Sequence, residues 1–174
     1  MRKVVGLLIV LLCFSAVAMA QETPKGEFSA GYSYFRGNPG HSLPGINLNG
    51  WYASLTGNFN DWFGVTGEFS GAYGKPANLG TDYHSYLFGP TISYRKNEKL
   101  TPFVHFLMGA ARFGAGPGTG DTAFAMELGG GVDARVTDGI AIRAVQFDYV
   151  MTRFASETQH NLKLSFGVTF RFAR

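Results

Sequence analysis

From residue 160 to residue 172 apolar and polar side chains alternate almost without a break. Leu162, Leu164, Phe166, Val168, Phe170 and Phe172 fall on one face, and Asn161, Lys163, Ser165, Gly167, Thr169 and Arg171 on the other. Side chains of an extended chain switch sides at every residue, so the pattern predicts a strand with one apolar face and one polar, partly charged face. Seven further segments read the same way. Residues 25–36 set Phe28, Ala30, Tyr32 and Tyr34 against Glu27, Ser29, Gly31 and Ser33. Residues 49–59 set Trp51, Leu55 and Phe59 against Tyr52, Ser54 and Thr56, and residues 63–73 set Val65, Phe69 and Tyr73 against Thr66, Glu68 and Ser70. Residues 83–95 carry Tyr86, Phe88, Ile92 and Tyr94 opposite Ser85, Leu87, Thr91 and Ser93, a weaker polar face.

Residues 101–112 are ambiguous, because Val104, Phe106 and Met108 oppose Phe103, His105 and Leu107. Residues 123–136 are clear: Phe124, Met126, Leu128, Val132, Ala134 and Val136 oppose Glu127, Gly129, Gly131, Asp133 and Arg135. In residues 139–150 the register changes midway. Ile140 and Ile142 are apolar and Arg143 polar, but Gln146 and Asp148 are then polar and Phe147 and Tyr149 apolar. One extra residue restores the faces, which predicts a β-bulge at Ala144–Val145.

The connections between segments alternate in length. Residues 60–62, 96–100 and 137–138 are short; residues 37–48, 74–82, 113–122 and 151–159 are longer. Eight strands joined in this way describe an antiparallel up-and-down barrel with tight turns at one rim and loops at the other. In outer-membrane barrels the turns face the periplasm. No helix pattern, linker or duplication interrupts residues 21–174, which are expected to form a single domain.

Residues 1–20 form a different kind of segment. Arg2 and Lys3 precede an apolar run over residues 4–17, and Ala18-Met19-Ala20 has the small-x-small form that a signal peptidase accepts. A cleaved export leader is expected, with the mature chain starting at Gln21. The apolar run is shorter than the roughly 20 residues of a spanning helix. Leu12 before Cys13 is not the small residue that precedes a lipidated cysteine.

Losing the leader takes away Arg2 and Lys3, so basic residues fall from 15 to 13 against 12 acidic ones. The near-neutral mature chain gives no electrostatic case for nucleic acid. The only cysteine leaves as well, so no disulfide can staple the barrel.

The polar face decides between a soluble and a membrane barrel. It is mostly Gly, Ser, Ala and Thr, with a few charges of both signs. Small residues suit the narrow interior of eight strands and make a poor solubilising surface. Charged residues are 16% of the chain, below the roughly 25% of soluble domains. Aromatic residues gather near segment ends, where interfacial girdles belong: Tyr34, Trp62, Phe63, Tyr73, Tyr83, Tyr94, Phe124, Tyr149 and Phe172. The expected fold is therefore an all-β, eight-stranded antiparallel transmembrane barrel with its apolar face in lipid. Glu68, Glu127, Asp133, Arg135, Arg143, Asp148, Lys163 and Arg171 then point into the lumen. Four are acidic and four basic. They read as an ion-pair network plugging the barrel, with a narrow charged pore as the alternative.

The eight alternating segments, the leader and the terminal strand resemble the small OmpA-like and OmpX-like outer-membrane barrels of Gram-negative bacteria. The resemblance implies outer-membrane lipids and lipopolysaccharide as surroundings. It also implies insertion by the barrel-assembly machinery, for which Leu164, Phe166, Val168, Phe170 and Phe172 form the C-terminal signal. A surface ligand, if any, belongs to the long loops.

Lipid A deacylases on such barrels place a His and a Ser two positions apart on one face. Here Ser85 follows His84 directly, while Leu107 and Leu162 stand two positions after His105 and His160. No enzyme, cofactor or metal site is expected; the four histidines are scattered, and residues 114–120 lack the Lys and helix of a phosphate-binding loop.

Overall fold

Each of the eight alternating segments is a strand in the computed structural model. It describes residues 23–38, 45–76, 79–97, 99–116, 120–154 and 157–172. The leader expected over residues 1–20 lies outside them. The strands are β1 Gly26–Gly37, β2 Ile46–Asn58, β3 Phe63–Gly74, β4 Thr81–Ser93, β5 Leu100–Ala115, β6 Asp121–Arg135, β7 Ile140–Phe154 and β8 Glu157–Phe172. Each pairs antiparallel with the next, and β1 pairs with β8 from Gly26↔Phe172 to Arg36↔Leu162. The sheet is thereby a closed barrel. Closure leaves no strand edge unpaired, the condition for crossing hydrocarbon.

The faces fall as the alternation requires. Trp51, Leu55, Phe69, Phe88, Leu128, Phe147, Phe166 and Phe170 are all exposed on the outer wall, while Ser29, Ser54, Thr66, Glu68, Ser85, Lys163 and Thr169 are buried inside. The ambiguity of the fifth segment resolves the same way, with Val104 and Met108 outside and Phe103, His105 and Leu107 inside. Girdle side chains are pinned by hydrogen bonds across neighbouring strands. The Tyr73 hydroxyl and His84 Nε2 lie 2.9 Å apart, and Tyr32 bonds Asn49 and Tyr149 bonds His160. Tyr83 is a correction to the girdle. It sits an odd step from Tyr86, faces the lumen and stacks on Phe35.

The extra residue in the seventh segment is where the register change puts it. Arg143 pairs with Gly167 and Gln146 with Ser165, so three steps along β7 match two along β8. Ala144 and Val145 both face outward. The bulge keeps Arg143, Gln146 and Asp148 on the lumen side.

The longer connections are shorter than the sequence suggests. The β7–β8 ladder continues through Thr152↔Gln159 to Phe154↔Glu157 across residues read as loop, and β5 runs on to Ala115. Apolar alternation lapses there because the outer face of a strand that rises past the lipid no longer meets hydrocarbon, although backbone pairing continues.

A charge on the outer wall tests the orientation. Phe88 lies midway along β4 and is 63% exposed. Phe88→Arg is expected to destabilise the barrel in a bilayer by about 2–4 kcal/mol, measured by reversible denaturant unfolding in lipid vesicles.

Candidate functional site

The polar faces of all eight strands converge on the lumen, where ionic side chains pack in tiers. At the short-turn rim, Glu27 of β1 accepts from two guanidinium groups. Arg95 reaches it at 3.1 Å and Arg171 at 3.0 Å. Arg95 also donates to Asn58 Oδ1, and Arg171 to Thr101 Oγ1.

One tier deeper, Arg143 and Asp133 form a two-pronged pair, Nε to Oδ1 at 2.9 Å and Nη2 to Oδ2 at 3.1 Å. The guanidinium lies 4.4 Å from the centre of the Phe103 ring and donates to Gln146 Oε1 at 2.8 Å. Two parallel charge-assisted bonds and a ring face hold this arginine in one geometry.

Gln146 links this tier to the centre. Its amide nitrogen donates to Asp148 at 2.8 Å and to Glu68 at 3.2 Å. There Lys163 Nζ donates to Glu68 and to both oxygens of Glu127, at 2.9 and 2.7 Å, and stands 3.4 Å from Asp148. His105 Nε2 lies 2.9 Å from Asp148 and 3.4 Å from Glu127. All of these side chains are buried.

Room for them comes from β6. A Cβ on Gly129 would stand 2.1 Å from Asp148 Oδ1, and one on Gly131 would stand 3.0 Å from the Phe103 ring. Glycine there leaves space for the carboxylate and the ring beneath Arg143.

Toward the loop rim the lumen becomes apolar. Phe35, Leu48, Tyr83, Leu87, Leu107 and Val150 form a buried cluster, with Phe35 and Tyr83 stacked at 4.3 Å. Between this collar and the rim ion pairs, the free space beside Thr56, Thr66, Phe103 and Arg143 is about 10 Å³, room for no more than one water.

The lumen residues expected from the sequence thus divide into groups. Glu68, Glu127, Asp148 and Lys163 form the central cluster, Asp133 and Arg143 the tier beside it, and Arg171 the rim pair. Arg135 is a correction. It has lumen parity but ends β6, so its side chain leaves the barrel, is 43% exposed and stands 3.8 Å from Asp138.

Glu27, Arg95, Gln146 and the apolar collar are not among the lumen charges expected from the sequence. Strand parity places Glu27 and Gln146 inside; His105, ambiguous in face by sequence, lies in the lumen with Asp148 as its hydrogen-bonded neighbour, and Arg95 stands at the edge of a turn.

Chemically the cluster is a charge sink around one ammonium. His105, Glu127 and Asp148 offer atoms within 4.8 Å of one another, a spacing that suits a metal ion. The same carboxylates already hold Lys163, so a metal would have to displace it. On the outer wall, Asp82 stands 3.5 Å from His84, which bonds Tyr73. This trio ends in a phenol hydroxyl. Ser85 lies on the opposite face and bonds Ser70 at 2.7 Å.

Removing the ammonium leaves three carboxylates facing one another out of water. Lys163→Met is expected to cost about 3–5 kcal/mol of stability, whereas Arg135→Gln changes it by less than about 0.5 kcal/mol. Denaturant unfolding of both variants in detergent checks the contrast.

Comparison with known proteins places this architecture. No curated protein sequence matches the chain. Among solved structures, neisserial surface protein A aligns with a TM-score of 0.74 at 14% identity, covering 85% of this chain and 97% of that one. The outer membrane protein OprG of Pseudomonas aeruginosa aligns at 0.59 and 9% identity, covering 89% and 100%. Ail of Yersinia pestis, its attachment invasion locus protein, aligns at 0.54 and 19% identity, covering 85% and 99%. These likenesses concern the fold. The family model described as the outer membrane protein beta-barrel domain matches residues 6–172, and the chain belongs to that family.

Proposed function

We propose that this outer-membrane barrel is a closed, non-enzymatic scaffold that works through its outer surface and loops rather than through its lumen. The observation that carries this reading is the obstruction of the lumen. An ion-pair network fills its centre, about 10 Å³ stays free beside it, and an apolar collar caps it toward the loops. Ions crossing such a path would have to break buried pairs and then pass dry side chains, both costly steps.

The loop-side outer wall supports a role at the surface. Arg36, Arg112 and Arg153 are exposed there beyond the aromatic belt, suited to lipopolysaccharide phosphates. Ail has also been solved with the heparin analogue sucrose octasulfate, which supports surface-ligand binding on this architecture.

Biogenesis follows the same reading. Residues 1–20 are a leader cleaved on export. The outward row Leu164, Phe166, Val168, Phe170 and Phe172 is the signal by which the barrel-assembly machinery recognises the chain.

Single-channel recording in planar bilayers tests the closed lumen. The purified barrel is expected to give no stable conductance steps; long-lived steps of uniform size would contradict it and favour a narrow pore.

A further inference from the structure

The short-turn rim opens into a cavity of about 470 Å³ whose lining includes Asp61, Arg95, Lys96, Thr101, Arg135 and Arg171. That volume lies within the roughly 300–1,000 Å³ of small-molecule sites. It is the opposite of the lumen centre, being roomy, open to water and dominated by one sign of charge.

Among the described residues four cations face it, and Asp61 is the one carboxylate in the lining. Its floor is built from the rim ion pairs. Arg95 and Arg171 share the single carboxylate of Glu27, so the floor keeps one uncompensated positive charge. Both guanidinium groups are held in place, Arg95 by Asn58 and Arg171 by Thr101. Arg95 Nε is moreover buried without a hydrogen-bond partner.

Above the floor, among the described residues, Arg135 has an ion-pair contact with Asp138 at 3.8 Å and Lys96 makes no ion pair. Fixed forks below and exposed cations above, around one concave space, suit a ligand with acidic oxygens at both ends.

We propose that this vestibule binds small oligoanions carrying two or more carboxylate or phosphate groups, on the face that the family's topology turns to the periplasm. The floor guanidinium groups orient one acidic group, and Arg135 and Lys96 close on the other. Neither the lumen network nor the loop rim takes part.

Titration calorimetry on the protein folded in detergent, at about 50 mM salt where screening is weak, tests the proposal. Citrate and tripolyphosphate are the two probes, separating carboxylate from phosphate ligands. Saturable binding of either at about one per barrel, weakening as salt rises, is the expected result. The double variant Lys96→Gln, Arg135→Gln changes exposed side chains only; heat-modifiable gel migration confirms that it folds. It is expected to bind about five- to tenfold more weakly. Lys75→Gln, at the opposite rim, removes a charge without touching the vestibule and is expected to bind as the unaltered chain does. The proposal is overturned if neither probe saturates, if the double variant binds equally well, or if Lys75→Gln weakens binding as much, since binding would then follow net charge rather than this site.

Discussion

The fold depends on the pairing of β1 with β8. Until those strands meet, two rows of backbone N–H and C=O groups face hydrocarbon, each costing several kcal/mol with no water to satisfy it. Eleven residue pairs, from Gly26↔Phe172 to Arg36↔Leu162, close the gap. Closure also fixes the scale of everything inside. Eight strands enclose a space that side chains alone can fill, so the chemistry of the lumen is decided by which side chains must touch.

The resulting molecule inverts the usual arrangement. Large apolar residues that would form the core of a soluble protein lie on the outer wall, and the interior is built from hydroxyls, carboxylates and cations. Charges removed from water are tolerated when each meets an opposite charge and further hydrogen bonds. Lys163 among Glu68, Glu127 and Asp148 meets that condition, as do Arg143 on Asp133 and the two arginines on Glu27. The lumen is ionic from Glu27 at the turn rim to Lys163 at its centre, and nearer the loop rim Leu107, Tyr83, Leu48 and Phe35 form an apolar cluster. That division separates the ion-pair network from the loop rim.

Much of this was legible in the alternation alone, because parity along a strand determines the side of the wall. Parity put Glu68, Glu127, Asp133, Arg143, Asp148 and Lys163 inside, and the lapse of parity between Arg143 and Gln146 located the bulge. It failed where the wall ends. Arg135 has lumen parity, yet there is no lumen left at the last residue of β6, so its side chain turns to Asp138. Tyr83 looked like a girdle residue by composition and is inside by parity.

The strand extensions at the loop rim leave no mark in the alternation, because apolar alternation records contact with lipid while pairing outlasts it. The apolar collar was the least visible feature. Phe35 and Leu48 lie at or beyond the edges of their alternating segments, and only closure brings them onto Tyr83, Leu107 and Val150. Partner identity within the network was equally hidden. That Lys163 meets Glu68, 95 positions away along the chain, follows from strand order and stagger together.

The whole architecture requires the apolar face of the barrel to lie in hydrocarbon. The chain has two tryptophans, and both Trp51 and Trp62 are exposed on the outer wall. Fluorescence quenching in vesicles of lipids brominated along the acyl chain reports on them directly, and Trp62→Phe isolates Trp51. Strong quenching of Trp51 by brominated lipid and little by aqueous iodide is expected. Quenching by iodide with no response to brominated lipid would mean that the wall faces water and that the inside and outside of the barrel have been exchanged.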